Sequence, residues 1–355
     1  MLAGFVERPY AAIAAAAEVA EDAVIERLAA MLRAGTIGGI RQTLKATNLA
    51  PGALVAWRVP WDKLDSAFEY MSRNDPFSGH VAIRSTEGDT PGASYRLWTT
   101  VKVPRGFSME KHCGMLAERT GADAFRTMPA KRVFVPGVGE MRRRGMPPGS
   151  KTDAPGQAIE PVVADLSYRD WQVLGPLKTE FASDEIVPEP WRSRAEEAGL
   201  PYDEFVAVAR SLDERGVIAR FSTGNEHGRP SAGGEHVTGC NALCHWRVPE
   251  GREIEAGVEI ARHHVLTRAY WREGGPELGN VNVMATAHGL DEDVVHEHKR
   301  AIDDHLFSLD IPVLYTSVFW GGRSEVKPSE VSPVEYERWC TWTGVNPATM
   351  HADAG

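Results

Sequence analysis

The chain carries one pattern twice, so any fold it adopts must accommodate the same unit in two copies. Residues 54–60 (LVAWRVP) return as residues 239–249 (GCNALCHWRVP). Residues 80–84 (HVAIR) and 94–104 (SYRLWTTVKVP) return as 266–273 (LTRAYWRE) and 279–289 (GNVNVMATAHG). The strand at 279–289 alternates Val281, Val283 and Ala285 with Asn282, Met284 and Thr286, and ends on His288, which the alternation puts on Asn282's face. An imidazole at a strand exit, close to arginines of the preceding strand, suits the holding of an anion near a proton donor. In the first copy Lys102 stands where the second has His288.

The elements around these strands also repeat. Residues 5–45 read as a helix from Pro9, a break near Val19 and Ala20, and a second helix from about Asp22. The second helix has Val24, Ile25, Leu28, Met31 and Leu32 at helical spacing and Gly35 as its C-cap. Two short helices closed by Gly-x-Ile form the pattern of a winged helix-turn-helix. From Leu54 the period becomes two, and strands at 54–60, 80–86, 94–104 and 130–139 alternate with helices at 62–73 and 108–121. That order, β-α-β-β-α-β, is a ferredoxin-like split unit. Residues 164–330 repeat the scheme, with an extra opening helix at 166–181 and inward positions Phe205, Val206, Ala209 and Leu212 in the helix capped by Gly216. The fold class is α+β, with helix-turn-helix segments at 1–46 and 164–232 and αβ domains at 47–145 and 233–330. A Pro- and Gly-rich linker at 146–163 joins the copies, and a tail at 331–355 lacks a clear period. A tandem fusion of this kind implies an internal pseudo-dimer with the αβ units face to face, and leaves room for further self-association.

Composition narrows the function. The net charge is −10, where a duplex-binding protein usually shows a basic footprint. The second helix of the first helix-turn-helix sets Glu21, Asp22 and Glu26 against Arg27 and Arg33. Its counterpart sets Asp203, Glu204, Asp213 and Glu214 against Arg210 and Arg215, so DNA binding is not expected. No apolar run approaches the ~20 residues that span a bilayer, and residues 11–17 lack a signal peptide's flanks, so the expectation is a cytoplasmic protein. Cys113, Cys240, Cys244 and Cys340 form no disulfide-like framework. Cys240 and Cys244, four apart in a strand, read as small core residues rather than metal ligands. His296, His298 and His305 share a helix whose apolar stripe is Val294, Val295, Ala301, Ile302 and Leu306, and read as solvated or boundary residues.

Helix-turn-helix followed by this αβ unit resembles the Lrp/AsnC family of regulators, and the finer motifs resemble its siroheme decarboxylase branch. The second half reads VPEPW, ERGVIARF, GCNALCHWRVP, TRAYWRE and NVNVMATAHG in that order, and the first reads HVAIR and YRLWTTVKVP. Tyr270, Arg272, Asn282, His288 and Gly289 keep the branch's pattern in the second half, as do His80 and Arg84 in the first. Arg268 replaces a histidine, Ala82 a tyrosine, Arg96 an asparagine, and Gly39 a common arginine; Val281, Met284 and Thr286 also depart.

The resemblance implies decarboxylation of acetate side chains of siroheme, or a closely related carboxylated tetrapyrrole, in heme biosynthesis. Such chemistry needs carboxylates held, an electron sink and a proton. Arginine meets carboxylates in a bidentate fork, so Arg84, Arg96, Arg268 and Arg272 are the expected anchors, with Tyr270, Asn282 and Trp98 completing the binding surface. His288 and His80 are the expected proton carriers, and Lys102 an anchor or donor. Either histidine could instead contact the substrate iron axially. The macrocycle is itself the sink, so no added cofactor and no protein-bound metal are expected. Two rival readings stand beside it: a heme or tetrapyrrole carrier or sensor that uses the same pocket, and a DNA-binding regulator that uses the helix-turn-helix segments.

Overall fold

The computed structural model describes residues 2–37, 39–45, 49–135, 146–224, 240–327 and 329–353. The chain divides into two compact units, residues 1–50 with 163–231, and residues 51–162 with 232–355. Each unit takes one segment from each copy.

The first unit collects the helix-turn-helix segments. The first copy gives β1 (Leu2–Ala3), α1 (Pro9–Ala17), α2 (Glu21–Arg33) and β2 (Gly39–Leu44). The second gives α5 (Tyr168–Lys178), α6 (Trp191–Glu197), α7 (Tyr202–Glu214) and β9 (Ile218–Gly224). The two wings pair with each other antiparallel, Gln42 opposite Phe221, and β1 closes the far edge in the order β1-β9-β2. Tyr10, Phe181, Trp191 and Phe221 stack edge-on or tilted beneath this sheet and form an aromatic core. Ser167 and Asp170 make a capping box that starts α5. Arg210 of α7 is engaged within the unit by Glu7, and Arg215 at the helix's C-cap by Asp170 at 3.0 Å.

The second unit holds the αβ repeats. In the first repeat β3 (Gly52–Arg58), α3 (Leu64–Arg73), β4 (Ser78–Ser85), β5 (Tyr95–Lys102), α4 (Met109–Thr120) and β6 (Ala124–Pro129) give the strand order β6-β3-β5-β4. In the second, β10 (Cys240–Arg247), α8 (Glu253–Ile260), β11 (Leu266–Trp271), β12 (Val283–Gly289), α9 (Glu292–Ser308) and β13 (Tyr315–Val326) give β13-β10-β12-β11. Both are the ferredoxin-like order 4-1-3-2. Helix faces and sheet faces make three cores. Val55, Trp57, Phe68 and Leu97 lie under the first repeat's helices, and Cys244, Trp246, Ala285 and Ile302 under the second's. A third cluster combines Ala56, Trp98 and Met128 of the first repeat with Leu243, Met284 and Phe319 of the second, so the two sheets meet face to face.

Each repeat also lends a strand to the other's sheet edge. β13 pairs with β10 along Tyr315 to Trp320 and then with β4, Gly321 opposite Arg84 and Val326 opposite His80. The expected first-repeat strand at 130–139 is corrected accordingly. The fourth strand is β6, which ends on Pro129, a residue with no N–H to continue the ladder. A separate strand, β7 (Arg132–Val135), then pairs with β11 of the second repeat. Residues 136–139 lie outside the described residues.

Two further expectations change. The linker contains β8 (Gln157–Ile159), which adds to the edge of β7. All three of its residues are exposed and it is placed by backbone pairing with β7, so no hydrophobic period marks it. The tail contains α10 (Pro333–Trp342), capped by Ser332 and burying Tyr336, Trp339 and Cys340 against the first repeat's core. Trp339 Nε1 donates to the carbonyl of Asn74 at 2.9 Å, and the Tyr336 hydroxyl lies 3.1 Å from His112 Nδ1.

Candidate functional site

Alternation fixes which residues face the space between the sheets. On β4, Val81 belongs to the helix-side core and Ile83 packs against it, which turns His80, Ala82 and Arg84 to the other sheet. On β10, Ala242, Cys244 and Trp246 face α9, which leaves Asn241, Leu243 and His245 inward. On β12, Met284 faces inward, and Thr286 and His288 follow it at two-residue steps. His288 and Asn241 are direct cross-strand neighbours.

These placements bring His80, Arg84, Asn241 and His288 together. Arg84 is 6% exposed, and its Nη1 donates to Asn241 Oδ1 and to the Phe319 carbonyl, both at 3.2 Å. Among the described residues it forms no ion pair with a carboxylate. Burial pushes its pKa down to about 10. Half-buried His80 is pushed down to about 4, by burial first and then by the positive charges of Arg84 and His288. His80 is therefore neutral at ordinary pH. A buried guanidinium with only neutral acceptors is an electrostatic cost of several kcal/mol that an incoming anion relieves. Gly321 makes the approach possible, since a Cβ there would stand 2.1 Å from Asn241 Oδ1.

Arg272 occupies the corresponding place in the other repeat. It is 9% exposed, donates from Nη1 to the carbonyl of Met128, and lies 4.5 Å over the Tyr270 ring. Burial pushes it down to about 10, as it does Arg84. Phe319, Leu243 and Thr286 are consecutive neighbours across β13, β10 and β12, and Met128, Leu54 and Thr100 are their counterparts across β6, β3 and β5. Carried two residues further, this register puts Lys102 opposite Gly52 where His288 is opposite Asn241. Arg268 is on β11, with its side chain outside the described residues.

Three expected site residues are placed elsewhere. Asn282 receives the Val248 N–H at 2.9 Å and donates to the Val248 carbonyl at 2.9 Å and to Glu253 Oε1 at 3.2 Å, so its amide clamps the start of α8. It does not share a face with His288, because Val281 and Met284 both enter the inter-sheet core and break the alternation between them. Trp98 is 2% exposed, donates to the Tyr95 carbonyl at 2.7 Å and packs edge-on to Phe319. Arg96 lies 5.4 Å over the exposed Trp61 ring, at the opposite end of β5 from Lys102. His298 is buried at 5%, and His305 bridges Glu259 at 2.8 Å and Lys151 at 2.7 Å. The four cysteines are free, and among the described residues no group of His, Cys, Asp or Glu is arranged to hold a metal ion. No helix among them is long and apolar enough to cross a membrane.

Two residues of this region escaped sequence reasoning. Asn241 had a signal: it shares the inward parity of Leu243 while Ala242 and Cys244 face the helices. His245 is fully buried between Trp98 at 5.7 Å and Phe319 at 4.8 Å, with both ring nitrogens unpartnered. Burial, followed by Arg84's charge, pushes it down to about 3.

Residues 50–134 and 238–318 match the family model of the AsnC-like ligand binding domain. The siroheme decarboxylase NirDL subunit of Paracoccus pantotrophus is 26% identical over 287 residues, 79% of each chain. The siroheme decarboxylase of Hydrogenobacter thermophilus is 23% identical over 292 residues, 82% of this chain and 80% of that one. The crystal structure of siroheme decarboxylase NirDL in co-complex with an iron-uroporphyrin III analogue superposes with a TM-score of 0.66 at 19% identity, covering 95% of this chain and 92% of that chain. The chain thus carries two matches to the AsnC-like ligand binding domain, and its similarity to siroheme decarboxylases spans about four-fifths of its length.

Proposed function

We propose that this carboxy-lyase removes carbon dioxide from acetate side chains of siroheme, or of a closely related carboxylated tetrapyrrole, at the His80–Arg84–Asn241–His288 cluster. The observation that carries the assignment is Arg84, a buried cation facing an amide and a carbonyl with no carboxylate beside it among the described residues. A substrate carboxylate supplies the missing counter-charge.

The division of labour follows from the electrostatics. Arg84 anchors one carboxylate, and Asn241 fixes the orientation of the guanidinium. The scissile acetate lies at the imidazoles; its C–C bond breaks, carbon dioxide leaves, and the electron pair passes into the conjugated macrocycle. The carbon left behind takes a proton from His288 and becomes a methyl group. His80, neutral in the free site, accepts a hydrogen bond or approaches the substrate iron. Once an anion offsets Arg84, the field that suppresses protonation of His80 weakens, so binding prepares the site to hold a proton. His288 comes from one repeat and His80 and Arg84 from the other, so a single repeat does not complete the site. The fusion accordingly acts as an internal pseudo-dimer.

Anaerobic incubation with siroheme tests the assignment. Carbon dioxide and a didecarboxylated macrocycle are expected. A stoichiometric complex with unaltered siroheme at high enzyme concentration would make the protein a carrier instead.

A further inference from the structure

We propose that the pseudo-equivalent place in the second repeat, centred on Arg272 and opening at Lys102, is a second receptor that holds a polycarboxylated macrocycle without transforming it. The inference rests on the reading above insofar as one ligand class serves both places.

Arg272, just past the end of β11, matches Arg84 in burial and in the use of its Nη1 on an opposing backbone carbonyl. Among the described residues it too forms no ion pair with a carboxylate; its remaining neighbour is the Tyr270 ring. A guanidinium this buried retains its cost unless an anion arrives: its bond to the Met128 carbonyl could come from a neutral donor, and the face of the Tyr270 ring offsets the charge only in part. Lys102, half-buried at the end of β5, lies over Gly52, where a Cβ would stand 3.3 Å from its Cγ. The missing side chain at Gly52 clears the place that Asn241 fills in the other half.

The chemistry nevertheless differs. The sequence has Lys102 and Arg268 where the first cluster has His288 and His80. Cationic at neutral pH, lysine and arginine anchor carboxylates well, but neither titrates near neutrality as imidazole does. This place therefore binds and does not deliver protons.

The test is an equilibrium titration of the full chain with metal-free uroporphyrin III, followed by the Soret band and by calorimetry. The wild type should bind two molecules per chain. Arg272→Met and Arg84→Met should each leave one, and the double variant none. Lys102→Gln, at a half-buried strand end, should weaken only the second affinity by about tenfold, the loss of one charge-assisted contact. If Arg272→Met does not fold, the Lys102→Gln titration decides alone, and an unchanged second affinity overturns the proposal. One molecule per chain in the wild type also overturns it, while leaving the His80–His288 reading intact. Two molecules bound with no decarboxylation of siroheme would overturn the catalytic reading and leave this one standing.

Discussion

Arg84 and Arg272 stand at the same place in the two halves of one sheet system, each buried and each donating to a backbone carbonyl in the other repeat's fourth strand. What separates them is their surroundings. Arg84 has Asn241 at 3.2 Å and two imidazoles in its field; Arg272 has Tyr270 beneath it and Lys102 at the equivalent strand exit. Duplication has thus kept a pair of buried arginines, while His80 and His288 stand on the Arg84 side alone.

Replacing Arg84 should act on binding. Arg84→Met removes the charge and the hydrogen bonds to Asn241 and the Phe319 carbonyl, and affinity for siroheme should fall by about 10- to 100-fold, the range for a lost charge-assisted contact. Arg84→Lys keeps the charge but not the fork and should recover part of the loss. Spectroscopic titration of the three proteins checks this; equal affinities would remove Arg84 from the site.

The pH dependence of binding has a definite sign. His80 is held near 4 in the free site, below the ~6.5 of a free imidazole. An anion on Arg84 removes part of the field and raises that value, so the complex takes up protons. Affinity should therefore rise as pH falls through that raised value, which lies between about 4 and the ~6.5 of a free imidazole, and His80→Gln should flatten the profile. Calorimetry in two buffers of different ionisation enthalpy measures the uptake directly; zero uptake in the wild type contradicts the coupling.

Gly321→Ala should reach the site through packing. The new Cβ would stand 2.1 Å from Asn241 Oδ1, and the amide must move away from Arg84. Gly322→Ala meets only the Ile83 carbonyl, at 3.3 Å. Turnover should fall about tenfold or more in the first variant and stay near wild type in the second.

Acid sensitivity of the fold should trace in part to His245. It is fully buried with its pKa pushed down to about 3, so below pH ~6.5 the unfolded chain takes up a proton that the folded chain refuses. Stability accordingly falls as pH falls, by about 2 kcal/mol between pH 6.5 and 5 for this one group. His245→Phe should shrink the difference between urea midpoints at the two pH values; an identical loss in the variant would assign the effect elsewhere.

The repeated αβ order was legible because period-two strands, capped amphipathic helices and matching motifs all agreed. The pairing of His80 with Arg84 was legible for the same reason, since HVAIR places the two four apart on one strand face. The exchange of β7 and β13 between repeats was not, because pairing across repeats leaves no mark on local periodicity. Nor was the β8 addition, whose residues are all exposed. Asn282 misled because counting by twos assumes a regular strand, whereas the strand begins only at Val283. Trp98 misled because an aromatic ring facing a second sheet and one facing a ligand have the same pattern in sequence. In α10, Tyr336, Trp339 and Cys340 have helical spacing, but the stretch is too short to stand out from a tail.

The central claim is that His80 and His288, contributed by different repeats, form one decarboxylating site. Single-turnover mixing of siroheme with His288→Ala and Lys102→Ala under anaerobic conditions tests it most directly, with product and bound substrate both quantified. The account predicts that His288→Ala binds siroheme within a few-fold of wild type while its rate falls by about 10²-fold or more, and that Lys102→Ala still turns over. Full activity in His288→Ala, with activity lost in Lys102→Ala, would place the chemistry in the opposite half and contradict it.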